Sequence, residues 1–166
     1  MKIPFLRRDH AILDLEADDC HAIARLHEED FGRPWSAEEF ESLLTQDTVF
    51  GFAVREVGNP RLGLVGFVLA RLAAGEGEIL TIAVARTRRR LGLGRTLMDA
   101  VLRRLHSDRA EELFLEVDET NAAAIALYKR LGFNEVARRP GYYEHEGRKR
   151  SDAIVMRREL RRAKPA

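Results

Sequence analysis

The stretch Glu78–Met98, EILTIAVARTRRRLGLGRTLM, decides how the rest of the chain is read. Its first seven residues, Glu78–Val84, are a run of β-formers and predict a strand. From Gly92 to about Ser107, Leu93, Leu97, Val101, Leu102 and Leu105 recur at helical spacing. Between the two stand three arginines and two glycines. Strand, glycine loop and helix bring unpaired backbone N–H groups and the positive end of a helix dipole to one point, which is a physical anion site. Gly92 and Gly94 remove side chains that block close backbone approach, and Arg89, Arg90 and Arg95 can add charge-assisted bonds. The anion is a phosphate of nucleic acid or of a small cofactor. A tight turn on a solvated basic edge accounts for the same residues equally well, because Gly-x-Gly is common. No Gly-Lys-Ser/Thr follows and the third glycine of a dinucleotide fingerprint is missing, so neither of those phosphate loops is present.

Working outward, Ala11–Leu15 predicts a first strand, followed by a helix capped by Asp18 or Asp19 and carrying Ile23 and Leu26. In PWSAEEFESLL, Ser36 and Glu39 form a capping box for a short second helix whose apolar face is Phe40, Leu43 and Leu44. TVFGFAVREV and LGLVGFVLARL predict a hairpin closed by Gly58-Asn59-Pro60-Arg61, and AAGEGE predicts a loop. LFLEV predicts a fifth strand. Thr120 or Asn121 caps a further helix that stops at Gly132, and strands near Phe133–Arg138 and Ala153–Glu159 bracket a long connection, RPGYYEHEGRKRS. No internal repeat or linker is visible, so residues 1–166 predict one domain with frayed tails at about 1–9 and 161–166.

Composition narrows the partners. A net charge of +1 on 166 residues argues against a globally basic nucleic-acid binder and leaves the arginines as a local feature. Cys20 is the single cysteine, which excludes an intrachain disulfide and fits a reducing, cytoplasmic setting. The N-terminus lacks an apolar export segment and no apolar run spans a bilayer. Neither Cys20 nor the five histidines show metal-ligand spacing, so no metal is expected. A monomer is the favoured oligomeric state.

Glu78–Met98 resembles the acyl-CoA signature of the GNAT superfamily of N-acetyltransferases, where Gln/Arg-x-x-Gly-x-Gly/Ala follows the fourth strand. Here it reads Arg89-Arg90-Leu91-Gly92-Leu93-Gly94. LFLEVDETNAAAIALYKRLGFNEVARRPGYY, followed by DAIVM, is similar to the RimI-like N-terminal protein acetyltransferases, and the likeness runs from Trp35 to Met156. The resemblance implies an α/β fold whose single mixed, mostly antiparallel sheet splays between strands 4 and 5, flanked by about four helices. It implies acetyl-CoA as co-substrate, with its pyrophosphate on the loop Arg89–Arg95 (Leu91 and Leu93 included) and its pantetheine arm along Ile82, Ala83 and Val84. Asn121 is a polar cofactor contact by the same likeness.

Acetyl transfer to an amine needs a neutral nucleophile and an acid for the departing thiolate. An α-amine titrates near ~7.7–8.0 and a lysine near ~10.4, so neutralising lysine at pH 7 costs roughly 3 kcal/mol more. By resemblance, Glu116 is the base, acting through water, and Tyr128 is the acid, with Glu78 as the alternative base. Apart from the resemblance, Glu116 reads as a solvent-facing strand residue and Tyr128 as an amphipathic core residue. Tyr142 and Tyr143, together with Pro34 and Trp35, match the two walls of the family's peptide groove; packing roles explain them equally well. Where relatives commonly have Glu-Val-Arg-x-Ser-Asn, this chain has Glu116-Val117-Asp118-Glu119-Thr120-Asn121, and strand alternation sets Asp118 on the face of Glu116. That change implies a preference for acceptors with a cationic residue near the amine. The expected activity is Nα-acetylation of a protein, typically a small-subunit ribosomal protein. A small-molecule or lysine acetyltransferase, and a nonenzymatic acyl-CoA binder, are the alternatives.

Overall fold

The computed structural model describes residues 10–58 and 63–161. In chain order the elements are β1 (His10–Asp14), α1 (Cys20–Asp30), α2 (Ala37–Leu44), β2 (Val49–Glu56), β3 (Leu64–Ala73), β4 (Glu76–Val84), α3 (Leu93–Ser107), β5 (Glu112–Asp118), α4 (Ala122–Arg130), β6 (Asn134–Tyr143) and β7 (Ser151–Glu159). The strands form one sheet in the order β1-β2-β3-β4-β5-β7-β6. β1 pairs with β2, β5 with β7, and β6 with β7, all antiparallel. β4 and β5 are parallel, and their register covers only Glu76–Glu78 against Glu112–Phe114. The strands therefore pair at their N-terminal ends and splay beyond, as the GNAT reading requires.

Two compact units divide the chain. One comprises the residues up to Leu69 together with Thr81–Val101. Its core is Ile23, Phe40, Val54, Phe67, Val68, Leu97 and Met98, all without solvent exposure. β3 is buried on both faces from Leu64 to Ala70, which is why it reads as a continuous apolar run rather than an alternating one. α2 begins on the expected capping box: the Glu39 N–H donates to Ser36 Oγ (3.2 Å) and the Ser36 N–H to Glu39 Oε2 (2.7 Å). Its anchor is Phe40, whose burial contributes about 1.5–3 kcal/mol.

The other unit comprises Ala70–Leu80 and the chain from Leu102 onward. Leu105, Leu113, Leu115, Phe133 and Met156 make its core. Along β5, Leu113, Leu115 and Val117 are buried while Glu116 and Asp118 share the other face, as alternation predicts.

Four local readings are corrected. AAGEGE is not a loop: β3 and β4 are joined by the two residues Ala74 (φ 51°) and Gly75 (φ 79°), a left-handed pair that suits a tight hairpin, and β4 starts at Glu76 rather than Glu78. Gly77 lies inside the strand because a Cβ there would meet Leu105 Cδ1 at 2.9 Å. Asp19 makes no side-chain cap on α1; its Oδ2 accepts from the Glu16 N–H of a preceding 3-10 turn, and its Oδ1 takes the Arg55 guanidinium. Finally, Tyr142 and Tyr143 belong to β6 rather than to a connection, because this edge strand continues through two register shifts, Glu135/Ala137 and Arg139/Tyr143. Asn59, Pro60 and Arg61 of the expected hairpin turn lie outside the described residues, as do both tails except Arg161.

Candidate active site

In the first unit, β4 runs through Ile82, Ala83 and Val84 and ends where the Ala85 N–H donates to the Val65 carbonyl (2.8 Å). A 3-10 turn, Arg86–Arg88, leads to Arg90 (φ 64°) and Gly92 (φ 74°), and α3 starts at Leu93. Thr96 makes the first intrahelical bond, to the Gly92 carbonyl (3.0 Å). The N–H groups of Leu93, Gly94 and Arg95 stand ahead of it, without intrahelical acceptors. The arginines divide by task. Arg86 and Arg89 are held by the C-terminal end of α1, with the Arg86 N–H on Glu29 Oε2 (3.2 Å) and the Arg89 guanidinium on Asp30, while Arg88 pairs with Glu56. Arg90 and Arg95 are exposed at the helix start. Fixed left-handed backbone, free helix N–H groups and two solvent-facing cations fit a pyrophosphate.

The same unit contains a residue that sequence reasoning passed over. His27 is 2% exposed and stacks on Phe31 (centroids 4.0 Å) and Trp35 (5.1 Å), with Phe40 edge-on at 5.4 Å. Its Nδ1 accepts the Trp35 N–H (3.0 Å), so the ring proton is on Nε2 and is donated to Thr81 Oγ1 (3.1 Å). Burial drives its pKa down to about 4, against the opposing pull of Asp30 and Glu39. A neutral imidazole thus fixes the backbone of Trp35. The available signal was a histidine four residues before Phe31 and four after Ile23, on the apolar face of α1.

In the second unit, β5 presents Glu116 and Asp118. Glu116 Oε1 lies 3.0 Å from Arg139 Nη2 of β6. Asp118 Oδ1 accepts from the Thr120 N–H (3.0 Å), the Thr120 hydroxyl (2.9 Å) and the Ser151 hydroxyl (2.7 Å), and His145 Nε2 stands 3.1 Å from Oδ2. His145 Nε2 is also 2.7 Å from Ser151 Oγ. Burial pushes the Asp118 carboxyl up, but the Thr120 N–H, the two hydroxyls and His145 outweigh it and hold the pKa below its usual value. The carboxylate expected to face an acceptor is therefore already committed to neighbours on its own unit.

Tyr128 is placed by the end of its helix. Gly132, at φ 89°, turns the chain left-handed; its N–H bonds to the Lys129 carbonyl (3.1 Å) and the Phe133 N–H to the Tyr128 carbonyl (3.0 Å). This pair of bonds is the Schellman stop, and its apolar contact is Tyr128 against Phe133, with centroids 5.9 Å apart. Burial, and then Tyr143, push the Tyr128 phenol up to about 12. Tyr143 is also pushed up to about 12, by burial and then by Glu116 and Asp118. Asn121 caps α4, its Oδ1 accepting from the Ala124 N–H (3.2 Å), which leaves its amide NH₂ for another partner. Glu78, opposite Phe114 in the β4–β5 register, is exposed and 4.0 Å from Arg71. Among the described residues no group of His, Cys, Asp and Glu is arranged to hold a metal, and no helix is long and apolar enough to cross a membrane.

A parallel β4–β5 pair whose register stops at Glu78, with a glycine-bearing turn and a helix start after β4, is the arrangement of an acyl-CoA-dependent transferase fold. Residues 20–133 match the Acetyltransferase (GNAT) family, and the chain belongs to it. It is 34% identical over 148 residues to the [Ribosomal protein bS18]-alanine N-acetyltransferase of Escherichia coli, covering 89% of this chain and 95% of that protein. The crystal structure of the Escherichia coli ribosomal-protein-S18-alanine N-acetyltransferase superposes with a TM-score of 0.85 at 32% identity, covering 94% of this chain and 97% of that one. Arabidopsis thaliana NAA60 in complex with acetyl-CoA shares the fold, with a TM-score of 0.80 at 22% identity over 91% of this chain and 98% of that one. The protein is an acetyl-CoA-dependent N-acetyltransferase.

Proposed function

We propose that the protein acetylates the N-terminal α-amine of a protein, with a small-subunit ribosomal protein as acceptor. The observation that carries this reading is the constellation of Glu116, Tyr143 and Tyr128 on one unit. It sets a strand carboxylate on the open face of β5 together with a phenol that is braced by Phe133 and that burial keeps protonated through the neutral range. The similarity to the bS18-alanine N-acetyltransferase supports the choice of acceptor.

In this reading Glu116 accepts the proton of the incoming ammonium through a water. With an amine pKa of ~7.7–8.0 only a modest base is required, whereas a lysine demands roughly 3 kcal/mol more. Acetyl-CoA supplies the acetyl group as a thioester with a thiol leaving group. Tyr128 donates its hydrogen bond to the departing sulfur, and its high pKa keeps it in the donor form. Leu93–Arg95 N–H groups, Arg90 and Arg95 take the pyrophosphate; Ile82–Val84 align the pantetheine; and the Asn121 amide is a further polar contact. Trp35, Tyr142 and Tyr143 contact the peptide, and Asp118 acts on it through the Ser151–His145 frame. We further propose that residues 1–166 act as a single, monomeric, cytoplasmic domain without direct nucleic-acid or membrane contacts, in keeping with the lone buried thiol of Cys20 and the near-neutral charge.

The test is mass spectrometry of candidate N-termini incubated with acetyl-CoA, with and without the enzyme. Acetylation of the α-amine of an N-terminal Ala ribosomal peptide supports the reading. Acetylation confined to lysine side chains or to a small polyamine overturns it.

A further inference from the structure

The Glu116 carboxylate, given above to the acceptor amine, already has a cationic occupant. Arg139 Nη2 lies 3.0 Å from Glu116 Oε1, and the guanidinium carbon of the same arginine lies 5.5 Å from the centroid of the Tyr142 ring. We propose that Arg139 is the positioning residue that gates the acceptor site: its guanidinium bridges Glu116 and the Tyr142 ring in the free enzyme and is left on the Tyr142 ring alone when the acceptor's ammonium takes its place on Glu116. The proposal rests on the reading of Glu116 as the group that receives the amine.

Three observations carry it. The pair is easy to open, because the Arg139 and Glu116 side chains are 57% and 30% exposed. A second partner is already engaged, because the guanidinium lies over the ring of the exposed Tyr142 and keeps that contact when it leaves Glu116. The backbone beneath is held while the side chain is free to swing. Arg139 is in register with Ala153, and beyond it the strand leaves register through Pro140, Gly141 and Tyr142, where the Gly141 N–H is fixed on Asp152 Oδ1 (2.9 Å). Neighbouring charges do not compete for the role. Arg138 is shared among Glu135, Glu119 and Asp152, and Asp118 is taken by Thr120, Ser151 and His145.

The exchange is cation for cation. An α-amine with a pKa of ~7.7–8.0 is mostly ammonium at pH 7, so it replaces the guanidinium without leaving the carboxylate unpaired. A neutral nucleophile has no such means of displacing it. Specificity for a charged amine then resides in the competition itself.

The experiment measures steady-state kinetics of the full chain on an N-terminal Ala peptide. Wild type and Glu116→Gln come first: if Glu116→Gln turns over like wild type, the reading of Glu116 fails before Arg139 is tested. With that reading intact, Arg139→Met should lower the acceptor KM by about 1.5- to 5-fold, the range set by an exposed ion pair. The KM for acetyl-CoA should stay put, and Arg139→Lys should keep the wild-type acceptor KM. Arg139→Gln repeats the comparison should the Met variant fold poorly. Tyr142→Ala should raise the acceptor KM more in wild type than in the Arg139→Met background, where only its peptide contact is left to lose. An acceptor KM that is unchanged or raised in Arg139→Met overturns the gate, as does a Tyr142→Ala effect of equal size in both backgrounds, which leaves peptide contact as the whole role of Tyr142.

Discussion

The surroundings of His27 and those of Glu116 solve the same problem, holding side chains in place, by opposite means. His27 is sealed among Phe31, Trp35 and Phe40, carries no charge, and spends both ring nitrogens on fixed partners. Glu116 and Asp118 are held by charges and hydroxyls, and Arg139 opposite Glu116 is open to water. The aromatic arrangement is rigid because nothing can exchange with its partners. The charged one is exchangeable, since water, salt or an arriving cation can replace a partner at small cost. A wall suits the first kind of packing and a reacting centre the second.

Substitutions at the charged face should change turnover more than stability, and the largest effect is expected there. Glu116→Gln should lower kcat by ~10²–10⁴-fold, with a deficit that narrows as pH rises past the amine's own pKa, because a neutral amine needs no base. Tyr128→Phe should lose rate without that alkaline recovery. Glu78→Gln should stay near wild type. If Glu78→Gln is the crippled variant and Glu116→Gln is not, the base has been misassigned between two carboxylates on one face of the sheet.

The next effect belongs to the aromatic region and concerns stability. The folded pKa of His27, about 4, lies below the unfolded value of ~6.5. Between these values the unfolded chain binds more protons, so stability rises with pH there. The contribution is complete above pH 6.5 and is lost as the pH falls from 6.5 towards 4, by up to about 3 kcal/mol. Urea unfolding of wild type and His27→Gln at pH 7.5 and pH 5 measures it. Wild type should lose more stability than the variant on acidification, and parallel losses would assign the acid sensitivity to other groups.

A smaller effect is expected at Ser151. Ser151→Ala removes one donor from Asp118 and the partner of His145 and should cost about 1–2 kcal/mol at pH 7. The Asp118 carboxyl sits below its unfolded pKa, so this network stabilises above that pKa and fades as pH falls through the folded one. A chemical-shift titration of the Asp118 carboxyl should show it rising in the variant. No change in either quantity would remove Ser151 from the frame that holds Asp118.

What was legible in the sequence was whatever is encoded locally. The Ser36–Glu39 box, the Asn121 cap and the Gly132 stop are contacts between residues three to five apart, and each stands where its spacing set it. β6 was cut short because Pro140 and Gly141 signal a turn, whereas an edge strand with bulges admits both. AAGEGE reads as a loop in the sequence because the reason for the second of its glycines, Leu105, lies far along the chain. The His27–Thr81 and Arg139–Glu116 contacts span 54 and 23 residues, and no local pattern announces them. The acid and base candidates became visible through family likeness, since a lone Glu on a strand and a lone Tyr on a helix are ordinary residues.

The left-handed turn at Gly132 carries a consequence for engineering. The family model's match ends at Phe133, the residue whose ring braces Tyr128, and β6 and β7 follow it, while the likeness to the Escherichia coli relative extends over 89% of the chain. Those strands bear Arg139, Tyr142, Tyr143 and Ser151, and the connection between them bears His145. A chimera that joins residues 20–133 of this enzyme to the terminal hairpin of a relative keeps the helix stop and its aromatic brace intact. The junction at Phe133–Asn134 is thus a natural cut site for exchanging the terminal strands between enzymes while leaving Glu116 and Tyr128 on their own elements.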